Sequence, residues 1–387
     1  MDKVRFGIIG LGNMGSDHIR YFPTLENATL TAICDVDQGR LDKFAHLNLP
    51  AFTDYRQLID SGRVDAVIIA TPHYFHGEMA RYAFSKNVHV LSEKPAAVSV
   101  KDARMTNEAA ARAPHLKYGI MFQTRTSALY RKMRELIADG ELGEISRITW
   151  IATNWFRTWT YYASGGWRAT WAGEGGGVLI NQNPHNLDIL QWTTGLMPSR
   201  VTAIASLGKT HPIEVEDEVS AILEYPNGAV GHFITTSGEA PGTDRLEIAG
   251  DMGRLVAERG RLTFFRNRRS AAEFCRTSTE SFARPENWEI DIPFRSSAPE
   301  GHKVITQNFT NAILRDEPLI APGVEGVRGL EIGNAMLMAG VTRTPVDLPV
   351  DGDKFDALLK ELAARYGGKK TLAPREAKVD MAASYAH

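Results

Sequence analysis

Val4-Arg5-Phe6-Gly7-Ile8-Ile9-Gly10-Leu11-Gly12-Asn13-Met14-Gly15 decides the fold, because a short apolar run passes without a break into a G-x-G-x-x-G turn. Glycines at this spacing allow a tight turn, close approach of backbone to a ligand, and close packing of the following helix on its strand. Asn13 and Met14 then open a helix expected over 13–22, whose amino-terminal N–H groups would face a pyrophosphate. About twenty residues further on, Thr29-Leu30-Thr31-Ala32-Ile33-Cys34 ends in Asp35. A carboxylate at that strand tip accepts hydrogen bonds from a ribose diol and repels a 2′-phosphate, so NAD is expected as cofactor in preference to NADP. Turn glycines followed by a solvated Asp are the competing interpretation, and the order strand, turn, helix, strand, acid speaks against it.

Outward from this turn, strands and helices alternate: strand 3–9, helix 13–22, strand 29–34, helix 39–46, strand 64–70, helix 75–86, strand 88–91, helix 99–113 and strand 116–122. That rhythm predicts a doubly wound parallel sheet. Beyond a helix at 127–138 the pattern changes to long alternating runs at 145–156, 199–207, 217–225, 229–237, 244–249 and 254–265. Pro226-Asn227-Gly228 and Gly250-Asp251-Met252-Gly253 mark hairpins, so a largely antiparallel sheet is expected, covered on one face by helices at 183–194 and 302–315. The fold class is therefore α/β: an N-terminal Rossmann sheet over 1–124, an α+β domain with a large open-faced sheet over 125–367, and a polar tail over 368–387.

Two further segments carry chemistry. Glu93-Lys94-Pro95 follows the apolar run Val88–Leu91, and at the carboxyl end of a parallel strand its lysine would point into the nucleotide crevice. A surface ion pair before a helix start is the plainer alternative. The second segment, Gly175-Gly176-Gly177-Val178-Leu179-Ile180-Asn181-Gln182-Asn183-Pro184-His185, is expected to bring backbone close to a ligand and then deliver an imidazole. Asn183 suits an N-cap, Pro184 the first helical position and Gly195 the stop, which puts His185 in the first turn, where the helix dipole disfavours imidazolium. Asp188 could oppose that effect, or could be structural. Five of the seven tryptophans (Trp150, Trp155, Trp159, Trp167, Trp171) fall close together with Phe156, Tyr161, Tyr162, Arg157 and Arg168. Flat amphipathic rings beside hydrogen-bonding cations suit a pyranose, although Trp150 is expected to be packing.

Together these residues resemble the glucose-fructose oxidoreductase, inositol dehydrogenase and MocA-like family of NAD(P)-dependent sugar oxidoreductases. The resemblance rests on Gly10 to Gly15, Asp35, Thr71-Pro72-His73-Tyr74-Phe75-His76, Glu93-Lys94-Pro95, Trp167-Arg168 and Gly175 to Asp188. The stretch Trp167 to Glu174 followed by Asn181 to His185 looks like the branch containing levoglucosan dehydrogenase and glycoside 3-dehydrogenases. The resemblance implies that Thr71, Pro72, His76, Glu93, Lys94, Gln123, Trp167 and Arg168 line the cofactor with Gly10, Gly12, Asn13, Met14, Gly15 and Asp35. It implies Lys94 and His185 as the catalytic pair; the substrate pocket is expected to draw on Lys94, Asn181, Gln182 and His185 and, from the ring-and-cation chemistry, on at least one of Trp155, Arg157, Tyr161 and Trp171. The expected reaction is oxidation of a secondary ring hydroxyl, at C3 of a pyranoside or anhydrosugar, in a homodimer or homotetramer joined through the second sheet. The wider family usually carries Asp four residues before the histidine, where this chain has Asn181, and an amide cannot accept a proton. Inositol oxidation, redox-assisted glycoside cleavage, and a non-catalytic sugar- or NAD-sensing role are the alternatives.

Bulk properties agree with a soluble two-domain enzyme: 387 residues, 43% hydrophobic and 23% charged. A net charge of −2 offers no excess of positive potential for nucleic acid or anionic membrane, and Arg266-Asn267-Arg268-Arg269 is expected to be a solvated hairpin end. No apolar run has membrane-spanning length, and Met1-Asp2-Lys3 leaves no room for a signal peptide before the first strand, so a cytoplasmic location is expected. Cys34 and Cys275 support neither a disulfide framework nor a thiolate metal site, and His73 and His76 lack a third ligand, so no metal is expected.

Overall fold

The computed structural model describes residues 2–294 and 300–367. The predicted tail 368–387 lies outside them. The first sheet has six parallel strands, β1 (Val4–Ile9), β2 (Ala28–Cys34), β3 (Ala51–Phe52), β4 (Ala66–Ile69), β5 (His89–Ser92) and β6 (Tyr118–Ile120), in the order β3-β2-β1-β4-β5-β6. The chain reverses direction of travel between β1 and β4, the position where such sheets open a ligand crevice at their carboxyl ends. Both faces are covered, which is why the strands read as nearly continuous apolar runs. Phe6, Ile8 and Leu91 belong to the core on one face, and Ile9, Val67 and Val90 to the core on the other.

The second sheet has nine strands: β7 (Ile145–Ala152), β8 (Arg200–Leu207), β9 (Glu216–Glu224), β10 (Val230–Thr236), β11 (Asp244–Gly250), β12 (Gly253–Glu258), β13 (Arg261–Asn267), β14 (Asn287–Asp291) and β15 (Val346–Asp347). Their order is β14-β13-β12-β11-β7-β10-β9-β8-β15, antiparallel throughout except where β10 runs parallel to β7. Its alternation is clean: β9 buries Val219, Ala221 and Leu223 and exposes Ser220, Ile222 and Glu224.

Several expectations need correction. The run predicted as one strand over 254–265 is a hairpin, because Arg259 and Gly260 both adopt positive φ (51° and 69°) and turn the chain between β12 and β13. The helix His302–Arg315 forms as expected but packs on the parallel sheet, with Phe309 beside Phe6 and Thr306 bonded to Tyr21. The second sheet is covered instead by Gly326–Thr342, against which Pro184–Thr194 packs. Gly326–Thr342 and the final helix Gly352–Tyr366 were not anticipated from the sequence. Glycines at 326, 329, 333 and 340 dilute the helical signal of Gly326–Thr342, and its burial on nearly all sides removes the polar face that marks an amphipathic helix. The helix predicted over 39–46 shrinks to Gln38–Asp42, and the run at 145–156 leaves the sheet after Ala152. The arginines at 266 and 268 are paired, with Glu141 and Glu286. Among the described residues no helix is long and apolar enough to cross a membrane, and no group of three or more metal-ligating side chains converges.

One buried ion pair braces the junction of the two sheets. Arg125 grips Asp188 with two bonds of 2.7 and 2.6 Å, both side chains being 1% exposed, and reaches Glu325 at 2.5 Å. Asp188 is therefore a structural partner of Arg125 and no direct influence on His185. Removing one partner strands a buried charge, so Arg125→Met is expected to cost about 3–5 kcal/mol in chemical denaturation. A loss below about 1 kcal/mol would show that the pair does not brace the junction.

Candidate active site

The glycine turn after β1 is built as the dinucleotide interpretation requires. Gly10 sits at φ +93°, and a Cβ there would meet the Ala70 carbonyl at 2.6 Å. At Gly15 a Cβ would fall 1.8 Å from the Gly10 carbonyl, so only glycine lets the helix Asn13–Tyr21 pack this close. Gly12 is different: the nearest atom to a Cβ is the Arg40 guanidinium at 3.9 Å, so this backbone faces open space at a helix N-terminus that no side chain caps. Asp35 accepts from Leu11 N at 2.7 Å and Asp37 N at 2.9 Å, tying the glycine turn to the tip of β2. Arg40 stands 3.4 Å from the same carboxylate. It was missed in the sequence, where nothing distinguishes it from other helix-surface arginines.

The carboxyl ends of β4, β5 and β6 supply the next wall. Thr71 and Pro72 follow β4, Glu93 and Lys94 follow β5, and Gln123 follows β6. Each ring nitrogen of His76 faces a backbone carbonyl, Pro95 at 2.7 Å and Thr71 at 2.8 Å, so whichever nitrogen carries the proton donates to one of these turns. Buried His18, also missed, bonds Glu93 at 2.9 Å. Burial alone would raise the Glu93 carboxyl, but that bond and the neighbouring His18, His302 and Lys94 hold it down to about 2. Trp167 and Arg168 arrive from the segment that follows β7; Trp167 meets His73 edge-on at 5.2 Å, and Arg168 lies over the Trp167 ring.

Lys94 and His185 come together. The Lys94 ammonium donates to the Asn181 carbonyl at 2.9 Å, which ties it to the segment that delivers His185. Burial, with the neighbouring positive charges of Arg168 and Arg157, lowers the Lys94 pKa, while Glu93 and Glu174 oppose that shift. His185 lies well below its ordinary value, first through burial and then through the Lys94 and His302 charges, so the ring is a neutral base near pH 7. Its Nε2 lies 3.2 Å from the Gln123 carboxamide. A carboxamide can offer this ring either group: with nitrogen presented, His185 must carry its proton on Nδ1, and with oxygen presented, Nδ1 becomes the basic nitrogen. Gln123 Oε1, Gln182 Oε1 and His185 Nδ1 are all buried with no protein partner, the signature of a surface shaped for polar ligand groups.

Tyr161, Asn181 and Gln182 form the hub around this pair. The Tyr161 hydroxyl donates to Asn181 Oδ1 at 3.0 Å and accepts from Arg168 at 2.6 Å and Gln182 at 3.0 Å. Arg157 lies over the Trp155 and Tyr161 rings, at 5.5 and 5.2 Å. Trp155 itself is buried, with its indole N–H on Asn186. Trp171 is 0% exposed and packed in the core, where its backbone also bonds Tyr74 and Glu214 and its indole N–H has no protein partner.

The glycine triplet serves packing more than ligand approach. A Cβ on Gly175 would strike Val98 at 2.2 Å, and one on Gly177 the Glu216 carbonyl at 2.0 Å. Glu216 clamps the turn from behind through Gly177 N and Leu179 N; burial raises its carboxyl to about 7 against those bonds. Asn183 occupies the cap position before Pro184, yet its side chain bonds Val178 O and Thr235 and caps nothing. The sequence missed Glu174 as well, a carboxylate 1% exposed that accepts from Ala169 N at 2.6 Å and from the Asn181 amide.

Comparison with known proteins bears on this geometry. A family profile described as an oxidoreductase family with NAD-binding Rossmann fold matches residues 4–119, and one described as the GFO/IDH/MocA C-terminal domain matches residues 130–256. An inositol 2-dehydrogenase from Pseudarthrobacter chlorophenolicus is 29% identical over 278 residues, covering 67% of this chain and 78% of that protein. The WlbA dehydrogenase from Bordetella pertussis, solved with NADH and UDP-GlcNAcA, is 25% identical with a TM-score of 0.75 over 90% of this chain and 100% of its own. Levoglucosan dehydrogenase, solved with NADH and levoglucosan, shares the fold at 21% identity with a TM-score of 0.73, covering 90% and 100%. With the glycine cradle, the strand-tip acid and both profiles in place, the chain belongs to the GFO/IDH/MocA family of NAD-binding oxidoreductases.

Proposed function

We propose that the protein oxidises a secondary ring hydroxyl, at C3, of a pyranoside or anhydrosugar. The observation that carries this reading is a neutral, buried His185 facing a buried ammonium, with unpartnered carboxamide oxygens of Gln123 and Gln182 around them. A polyhydroxylated ring offers donors for those oxygens and acceptors for Lys94, Arg157 and Tyr161, and the Trp155 and Tyr161 rings beside Arg157 suit its C–H faces. The names of the relatives, an inositol 2-dehydrogenase and a dehydrogenase solved with levoglucosan, point to the same class of substrate. Inositol is the second reading, favoured by that 29% identical relative.

In the proposed mechanism Lys94 donates a hydrogen bond to the reacting oxygen and stabilises the charge that develops there, while His185 accepts the hydroxyl proton. NAD, when bound, supplies the hydride acceptor, and the residues placed to hold it are Gly10, Gly12, Asn13, Met14, Gly15 and Asp35 at the turn, with Thr71, Pro72, Glu93, Trp167 and Arg168 along the crevice. We also propose assembly through the outer face of the second sheet, where Ile204, Ile222, Val230 and Ile234 are 57%, 46%, 38% and 36% exposed on neighbouring strands. A cytoplasmic location is part of this reading.

Lys94→Ala and His185→Ala are each expected to lower kcat by about a hundredfold or more with NAD affinity nearly unchanged. Turnover of wild-type size in either variant removes that residue from the mechanism. Absorbance of NADH across glucosides, anhydrosugars and inositols, with aglycone release followed in parallel, separates the sugar, inositol and glycosidase readings; no NADH with any of them contradicts the oxidation. Because His185 must be neutral and its pKa is depressed, oxidation should hold below the ordinary histidine value of 6.5 before falling on the acid side. Asp35→Ser removes the repulsion of a 2′-phosphate and leaves Arg40 to pair with it, so the NADP/NAD ratio of kcat/KM should rise by about tenfold or more. An unchanged ratio argues against a ribose contact. Ile222→Lys should shift the molar mass in light scattering to that of one chain, and an unaltered mass would place the interface elsewhere.

A further inference from the structure

Every polar atom of the Asn181 side chain is bonded beside the proposed reaction centre, and one buried carboxylate bears on how it is turned. Its Oδ1 accepts from Tyr161 and Gln182, its backbone carbonyl holds Lys94, and its Nδ2 donates to Glu174. Two donors on the oxygen favour that orientation, and an acceptor on the nitrogen side completes it, because a flipped amide would turn its oxygen toward that acceptor. Glu174 is that acceptor. Its other oxygen takes the N–H of Ala169, a non-glycine residue at φ +59°, in the loop that carries Trp167 and Arg168. One carboxylate therefore ties the Trp167-Arg168 loop to the Asn181 turn.

Charge gives the same group a second task. The cations at the site are Lys94, Arg157 and Arg168, and the carboxylates that act on Lys94 are Glu93 and Glu174. Glu93 is already engaged by His18 and by Lys94 N. Glu174 lies 3.8 Å from the Arg168 guanidinium. Burial raises its carboxyl, yet both of its oxygens face N–H donors, an arrangement that only the ionised form satisfies fully.

We propose that Glu174 is the positioning residue of this site: it orients the Asn181 side chain, and through it Tyr161, and it supplies the counter-charge that keeps the Lys94 ammonium protonated while it works. The proposal rests on the reading of Lys94 as the group that binds the reacting oxygen.

The substitution E174Q separates this role from simple packing. An introduced carboxamide has the same shape, but it can accept from only one of Ala169 N and Asn181 Nδ2 and must turn a donor toward the other. It also removes a negative charge near Lys94. Without that charge the ammonium loses its proton more readily, so activity that needs protonated Lys94 falls at lower pH. The other groups facing Lys94 are Glu93 on its own turn, His73 and His76 from the turn after β4, Arg157 and Arg168 from the aromatic loop, and His185 and His302. Burial holds all four imidazoles below their ordinary value, so they are neutral on the alkaline side and leave Lys94 to set that limb.

The expected result is a fall in kcat of about tenfold or more, with the alkaline limb of kcat/KM displaced downward by about one pH unit. NAD affinity measured by binding fluorescence should be close to wild type. The double substitution E174Q/N181D exchanges the two functional groups: the introduced amide oxygen accepts from Ala169 N, its nitrogen donates to the introduced carboxylate, and the charge returns one side chain away. It should move the alkaline limb back toward wild type. An E174Q enzyme whose limb stays in place, whether or not turnover drops, overturns the proposal, as does a folded double variant whose limb stays displaced. If E174Q alone does not fold, the double variant decides by itself: turnover with a wild-type limb supports the proposal, and a folded inactive protein overturns it. Lys94→Ala is assayed alongside, because wild-type turnover there overturns the mechanism itself, whereas an inactive Lys94→Ala with an unaltered E174Q overturns only the role given to Glu174.

Discussion

A hydrogen bond from the Lys94 ammonium to the Asn181 carbonyl joins the carboxyl end of one sheet to the helices of the other. Lys94 follows β5 of the parallel sheet, while Asn181 ends a one-turn helix that leads directly into the helix of His185. Catalysis by alignment requires the two halves to be held in register, since small displacements of reacting groups cost large factors in rate. The surrounding structure serves that register. Arg125 and Asp188 lock the His185 helix to the loop after β6, and Glu216 clamps the start of the Asn181 turn.

Burial then sets the chemistry of what has been aligned. The same exclusion of water that costs a charged lysine part of its stability also keeps His185 neutral, so one environment holds a neutral imidazole near a buried ammonium. It also makes every unsatisfied charge expensive, which accounts for the pairing found around the pair: Glu93 with His18, Arg168 with Tyr161 and Glu174. The unpartnered oxygens of Gln123 and Gln182 stand apart from this pattern, and a ring bearing hydroxyls is the ligand that would complete it.

Local patterns made much of this legible. Strand, G-x-G-x-x-G turn, helix and strand-tip acid are contiguous in the chain, so the parallel sheet and its cradle could be read from Val4 to Asp35. The approach of Lys94 to the segment that carries His185 could be expected only through resemblance, because no local rule relates residues so far apart. What stayed illegible depends on tertiary packing. Trp171 and Trp155 look alike in sequence, and only the fold sends the first wholly into the core. The glycine triplet looks like a ligand-binding turn, yet Val98 and the Glu216 backbone are what a side chain there would strike. Glu174 and Arg40 act through neighbours distant in the chain, and Gly326–Thr342 hides its helical character behind glycines and burial.

A crystal structure of the protein with NAD and a bound glycoside or anhydrosugar tests the central claim most directly. The account predicts a secondary ring hydroxyl within hydrogen-bond distance of both Lys94 Nζ and a ring nitrogen of His185, with other hydroxyls on Gln123 or Gln182. A sugar seated in the crevice with its hydroxyls on neither Lys94 nor His185 would contradict it.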